Sequence, residues 1–399
     1  MSIPPLGYVD DVVTISNCGN DAVATNAIVN AFTESKKLEY SENKCKKMHI
    51  GKKNNICPEL KVHEKSIKVS ECEKYLGDLI SNTAKNKPNI ISRRDKGYGK
   101  VSDILSILAE VPLGKYRTQM ALKLRQAMLI NGMLQNSEAW SNLTLQDIEI
   151  LEEVDEFLLR SIFKAHSKTP KEFLHLETGT KPIRFIIASR RLNYFHNIIK
   201  RSNNELTKQV YEAQKLKTTK GDWVELVQKD FELIGEPFDE EKFTKMSKYQ
   251  CKKFVKERTA KAAFNYLENL KSTHSKIKQI RYKKLSPQSY ILSDKLSNED
   301  VIMLFGLRSR MTQVKRNFPT KYKDNLECML GCTVEETQSH LLDCSYILDK
   351  MEDKSILAEC EYSDLFKNDD DQIKITKIFS EIIKIRDRIL ETKNKNNKS

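Results

Sequence analysis

The hydrophobic period changes at about Asn89, and that change decides most of what this chain can fold into. Before it, apolar residues come in short runs suited to strands: 6–9 and 12–15, separated by Asp10 and Asp11. Residues 44–50 alternate weakly, with Met48 and Ile50 on one side. Ile67-Lys68-Val69 and residues 75–80 are predicted as further strands, the second interrupted by Gly77. One helix is expected among them, capped by Asn20-Asp21 and burying Val23, Ala27, Ile28 and Ala31.

After Asn89 the spacing is that of helices. Val101, Ile104, Leu105 and Leu108 form one stripe, Met120, Leu124, Met128 and Leu129 a second, and Leu151, Val154, Leu158 and Ile162 a third. Thr144 with Asp147 is a start signal for the third. Pro170 and Gly179-Thr180-Lys181-Pro182 punctuate. Helix resumes over 183–199, over the charged stretch 203–275 and over 298–311. The tail, 391–399, is Lys and Asn with almost nothing to bury, so disorder is expected there. Thirteen Gly and ten Pro are too few for an all-β chain rich in tight turns. The fold class predicted is α+β, with a small sheet region first and helices after it.

Lys and Arg number 68 against 55 Asp and Glu, a net charge of +13 that points to a polyanionic partner, nucleic acid ahead of membrane. Three clusters carry much of it. Arg184, Arg190, Arg191 and Lys200 lie beside Tyr194 and Phe195; Lys252, Lys253, Lys256, Arg258 and Lys261 follow; then Lys276, Lys278, Arg281, Lys283 and Lys284. Each taken singly reads as an ordinary solvated helix face. No run of 18 apolar residues exists, and the N-terminus lacks the basic and apolar regions of a signal peptide. Nine cysteines, odd in number and mostly scattered, suit reduced thiols in the nucleus or cytoplasm rather than a secreted chain.

In Leu6-Gly7-Tyr8-Val9-Asp10-Asp11-Val12-Val13-Thr14-Ile15, two adjacent carboxylates sit between β-prone runs. An isolated Asp-Asp is ordinarily a turn. At a hairpin tip, however, both acids can face one cation, and a hard divalent metal such as Mg²⁺ relieves their repulsion. Tyr-x-Asp-Asp at a hairpin tip is the signature of reverse-transcriptase palms, and this segment resembles the catalytic motif of non-LTR (LINE-type) retrotransposon enzymes. Asn43-Lys44-Cys45-Lys46-Lys47-Met48-His49-Ile50-Gly51 resembles the family's next palm motif. Lys74-Tyr75-Leu76-Gly77-Asp78-Leu79-Ile80 resembles its primer-grip strand, and residues 121–125 with 132–140 resemble its thumb helices.

The resemblance implies an RNA-directed DNA polymerase, a nucleotidyltransferase with an RNA template and a DNA primer as partners. Asp10 and Asp11 would hold Mg²⁺ in a two-metal site while a primer 3′-hydroxyl attacks the incoming nucleotide. Lys44 would stand near the leaving pyrophosphate, and Tyr8, Tyr75, Leu76 and Gly77 near the substrate and primer. The family takes a third carboxylate from a strand well upstream of this hairpin, and nine residues precede Asp10 here. The expectation is therefore a C-terminal part of such an enzyme with an incomplete catalytic site. The alternative is a non-catalytic nucleic-acid-binding protein derived from a retroelement.

Cys328, Cys332, His340 and Cys344 follow a C-x₃-C-x₇-H-x₃-C spacing able to close a tetrahedral Zn²⁺ site, with Gly331 allowing the turn between the first two. This group also resembles the Cys-Cys-His-Cys module near the C-terminus of non-LTR polyproteins, which more often has two residues in the first gap. Cys45, His49, Cys57 and His63 are also closely spaced, but on a strand their ligand directions would diverge. The organisation expected is a partial palm over 1–88, thumb-like helices over 89–170 and a basic helical region over 171–320. The zinc module follows at 321–350, then a helix and disordered tail at 351–399.

Overall fold

The computed structural model describes residues 5–8, 11–39, 41, 44–51, 58–62, 65–110, 116–322, 325–355, 357, 361–367 and 370–396. The chain is mixed α and β, mostly helical. It divides into two compact units, Met1–Ser92 with Trp140–Asp147, and Arg93–Ala139 with Ile148–Ser399.

The first unit holds all the described strands. A single small antiparallel sheet was the expectation; the described strands form four separate two-stranded ladders instead. Leu6–Tyr8 pairs antiparallel with Asp11–Val13, Lys61–Val62 with Lys65–Ser66, and Cys72–Tyr75 with Asp78–Ser81, while Lys46–Lys47 runs parallel to Lys68–Val69. The two-residue ladders, Lys46–Lys47 with Lys68–Val69 and Lys61–Val62 with Lys65–Ser66, are rich in Lys and offer no alternating apolar face on which a wider sheet could close.

Residues 75–80 are not one strand. Tyr75 pairs with Asp78, and the chain reverses through Leu76 at φ 46° and Gly77 at φ 94°. Two positive φ values suit a tight two-residue hairpin turn of right-handed twist. Gly77 takes this conformation freely, whereas Leu76 does so at a cost of roughly 1–2 kcal/mol.

The helix Gly19–Ser35 inverts the sequence expectation. Its cap is Cys18, whose sulfur accepts from the Asp21 amide. Val23, Ala27, Ile28 and Ala31, the predicted core face, are all exposed, and none of the helix's residues is buried. The polar face makes the anchoring contacts: Asn26 and Asn30 both donate to the Lys61 carbonyl, at 2.8 and 3.0 Å. Two side-chain amides on one carbonyl orient the helix by polarity, and among the described residues its apolar stripe has no covering layer.

The second unit is helical. Val101, Ile104 and Leu108 are buried on Lys87–Glu110, as are Leu151, Val154, Leu158 and Ile162 on Leu145–Ile162. In the stretch after Arg117 the phase shifts, because Arg125–Ile130 is a π-helical turn and the buried positions become Leu129, Ile130 and Met133. The helices Ile183–Ile199, Leu206–Leu216, Trp223–Leu233, Glu240–Lys245 and Lys248–Ser272 enclose an aromatic core around Phe195, Phe231 and Phe243.

Buried ion pairs lock these helices together. Arg125 pairs with Asp155, Arg191 with Asp230 at 2.9 Å, and Arg184 with Glu152 at 3.1 Å. Arg308 meets Glu177 at 2.9 Å, and Tyr282 donates to the same carboxylate. The first basic cluster seen in the sequence is thus largely tied to the protein itself, with Lys200 alone of the four exposed. Arg191 is buried, Arg184 is paired, Arg190 donates to the Leu134 carbonyl, and Lys200 to that of Met246. Of the tail expected to be disordered, residues 391–396 are helical, and 397–399 lie outside the described residues. The helix Asp370–Asn396 carries Ile375, Ile378, Phe379, Ile382 and Ile385 inward, and this stripe propagates helix into the polar end. No described helix is long and apolar enough to cross a membrane.

Candidate metal centre

The ligand atoms of Cys328, Cys332, His340 and Cys344 all lie within 4.8 Å of one another. Cys328 Sγ is 3.9 Å and Cys332 Sγ 3.6 Å from Cys344 Sγ. A tetrahedral ion with metal–sulfur bonds of about 2.3 Å sets its sulfurs about 3.8 Å apart. A disulfide needs about 2.05 Å, and all three cysteines are free. His340 Nε2 is buried with no hydrogen-bond partner among the described residues. A buried imidazole nitrogen left unpaired costs free energy, and a bound cation is the partner that would satisfy it. The cluster can therefore hold a metal ion such as zinc.

Local folding explains the convergence. Glu327 bridges Glu335 in antiparallel fashion, and Cys328 N–H donates to the Val334 carbonyl at 2.9 Å. Between these points the chain turns tightly: Gly331 N–H donates to the Cys328 carbonyl at 3.0 Å, with Gly331 at φ 113°. A Cβ at Gly331 would lie 3.1 Å from the Tyr346 hydroxyl, a tight contact, and the positive φ favours glycine there. The Leu330 amide donates to Cys328 Sγ at 3.4 Å, as suits a sulfur carrying negative charge. His340 opens the short helix His340–Asp343, and Cys344 falls in the extended link before Ser345–Leu348 rather than on a continuous helix.

The cluster rests on a helical support that sequence reasoning missed. Glu336, between the second and third ligands, is fully buried and pairs with Arg386 of the C-terminal helix at 2.8 Å. Its other oxygen accepts from the Lys315 amide at 2.9 Å. Gln338 donates to the Leu307 carbonyl at 3.1 Å, and Lys393 to that of Leu330 at 2.7 Å. Nothing in the run Glu335-Glu336-Thr337-Gln338 distinguishes buried members from exposed ones; the signal lies in partners about 50 residues away.

Burial pushes the Cys344 thiol up to about 12, with Cys332 and Cys328 adding to the rise. Burial acts the same way on Cys332, but hydrogen bonds from Ser345, Cys344 and Cys328 outweigh it and bring that thiol below its usual range. One easily ionised sulfur beside a reluctant one is a metal-free pattern; a bound cation would favour the thiolate at all three.

The acidic hairpin has a different standing. Tyr8 is opposite Asp11 across two antiparallel strands, and Val9 and Asp10 lie outside the described residues. Asp11 is exposed and belongs to no group of three possible ligands among the described residues. Lys44 is exposed just before strand Lys46–Lys47, its amide on the Ser41 carbonyl at 2.8 Å. Tyr75, Leu76 and Gly77 are brought together at the second hairpin turn. Of the weaker Cys/His grouping, Cys57 and His63 lie outside the described residues. No protein-family model, curated protein or solved structure matches the chain.

Proposed function

We propose that the chain is the catalytic-hairpin, thumb and C-terminal part of a non-LTR retrotransposon reverse transcriptase, with a Zn²⁺-binding Cys/His module. The observation that carries this reading is the register of the first hairpin. Tyr8 stands opposite Asp11 where the two antiparallel strands end, and at a hairpin tip acids adjacent in sequence can face one divalent ion. Asp10 and Asp11 would hold Mg²⁺, which neutralises charge developing on the transferred phosphate. Lys44 would stand near the leaving group, and the Leu76-Gly77 turn would lie against the primer.

A second reading, a non-catalytic nucleic-acid-binding protein of retroelement origin, is favoured by the absence of Asp11 from any group of three possible metal ligands among the described residues. Photo-crosslinking separates the two. With a photoreactive residue at the exposed Leu76 position, the polymerase reading predicts crosslinks to the primer 3′ end of an RNA–DNA template–primer. Crosslinks spread evenly over both strands, or none, would defeat it.

A further inference from the structure

The second basic cluster resolves into something more specific than scattered charge. On the helix Lys248–Ser272, Lys252, Lys256 and Tyr249 fall within about 60° of one another at 100° per residue, with Lys248 and Lys253 flanking them. All five are exposed, Tyr249 by 76%. Neighbouring cations are neutralised locally: Arg258 and Lys242 by Glu236, at 2.9 and 3.1 Å, and Lys245 by Glu241. None of the four stripe lysines enters an ion pair among the described residues. Lys181 adds to the field, its ammonium held below its usual range by burial and by Lys256.

The placement is electrostatically adverse in the free protein. These lysines occupy the first turns of a 25-residue helix, where the dipole is positive, and no acidic residue stands in the first turn. Lys248, Lys252 and Lys256 also repel one another at i,i+4 spacing. A polyanion relieves both penalties at once.

Resting on the nucleic-acid reading above, we propose that the stripe Lys248, Tyr249, Lys252, Lys253 and Lys256 docks a single-stranded polynucleotide. Lys248 to Lys256 spans about 12 Å of helix, enough for a few phosphates of an extended strand. The exposed ring among them suits an unpaired base, because a duplex hides its base faces.

The test is fluorescence anisotropy of the full chain with a labelled oligo(dT), an oligo(U) and a hairpin duplex, over a range of salt. The triple variant K252E/K253E/K256E should bind the single strands at least about tenfold more weakly. Its salt slope should be shallower by about two, at roughly 0.7 for each phosphate no longer neutralised. K278E/K283E/K284E makes the same charge change elsewhere and should cost less than about threefold. Tyr249→Ala should weaken binding about tenfold and Tyr249→Phe should restore it. Equal losses from the two triples would reduce the stripe to net charge and overturn the proposal, as would a duplex bound as tightly as the single strands. If the unaltered chain binds neither oligonucleotide at low salt, the nucleic-acid reading falls too; if it binds and ignores the stripe variants, only the stripe falls.

Discussion

Trp140 donates its indole N–H to Asp78 Oδ1 at 3.2 Å, and Asn89 donates to the same oxygen at 3.1 Å. Asn89 in turn accepts from the Leu79 amide at 3.2 Å. One carboxylate thus ties the hairpin bearing Leu76-Gly77 to the start of Lys87–Glu110 and to the segment beginning at Trp140. Trp140 is 5% exposed, so its N–H has little access to water if Asp78 is removed. Asp78→Ala should cost about 1–3 kcal/mol. Trp140→Phe should cost less in the Asp78→Ala background than in the unaltered chain, because the two share one interaction. Urea unfolding of the four proteins checks this; additive losses would deny the coupling.

Metal content gives the second prediction. Protein purified without chelators should carry about one Zn²⁺ per chain and lose it with Cys332→Ser or His340→Ala. Cys251→Ser should leave the metal in place. That thiol is buried in the aromatic core, and burial pushes it up to about 11, which makes it a poor ligand. Elemental analysis distinguishes the outcomes, and zinc absent from the unaltered chain would exclude the site.

The buried His175 predicts a pH dependence. Burial lowers its imidazole to about 4, with Asp155 opposing and Arg125 assisting. Its Nδ1 lies 3.0 Å from the Thr180 hydroxyl. In the unfolded chain it titrates near 6.5. As pH falls below about 6.5 the unfolded state gains a proton that the folded state refuses until about 4, so stability is lost across that window and is then constant. The loss is on the order of 3 kcal/mol. In His175→Gln this component should be missing, so the difference between variant and unaltered chain should shrink from pH 7 to pH 4.5 in denaturant titrations.

What could be read from the sequence follows from which forces are local. Leu151, Val154 and Leu158 are fully buried as their spacing requires, because a stripe that regular has one way to leave water. The four metal ligands were legible because ligand chemistry and spacing restrict one another. Val23 and Ile28 show the limit: periodicity tells which face is apolar, not whether anything covers it. Arg191 and Arg184 show another. Their charge suggested surface, and only the carboxylates of Asp230 and Glu152, supplied by other helices, make burial tolerable. Leu76 at positive φ could not be foreseen from a residue that rarely adopts it.

Catalysis supplies the last prediction. The 399-residue chain alone should not extend a primer on an RNA template, whichever divalent metal is supplied. An in-line displacement with two metals needs carboxylates on both sides of the reacting phosphate, and two adjacent acids on one hairpin approach it from one side. Among the described residues no other carboxylate joins Asp11 in a group of three. Positioning of the incoming nucleotide, a large share of any such rate, also needs a surface opposite the hairpin. On the polymerase reading proposed above, the hairpin joined in one chain to a palm and fingers from a non-LTR enzyme should support extension, and Asp10→Ala or Asp11→Ala should abolish it. Extension by the unaltered 399-residue chain that vanishes with Asp10→Ala would show that another acid completes the site and that the metal cage is not incomplete.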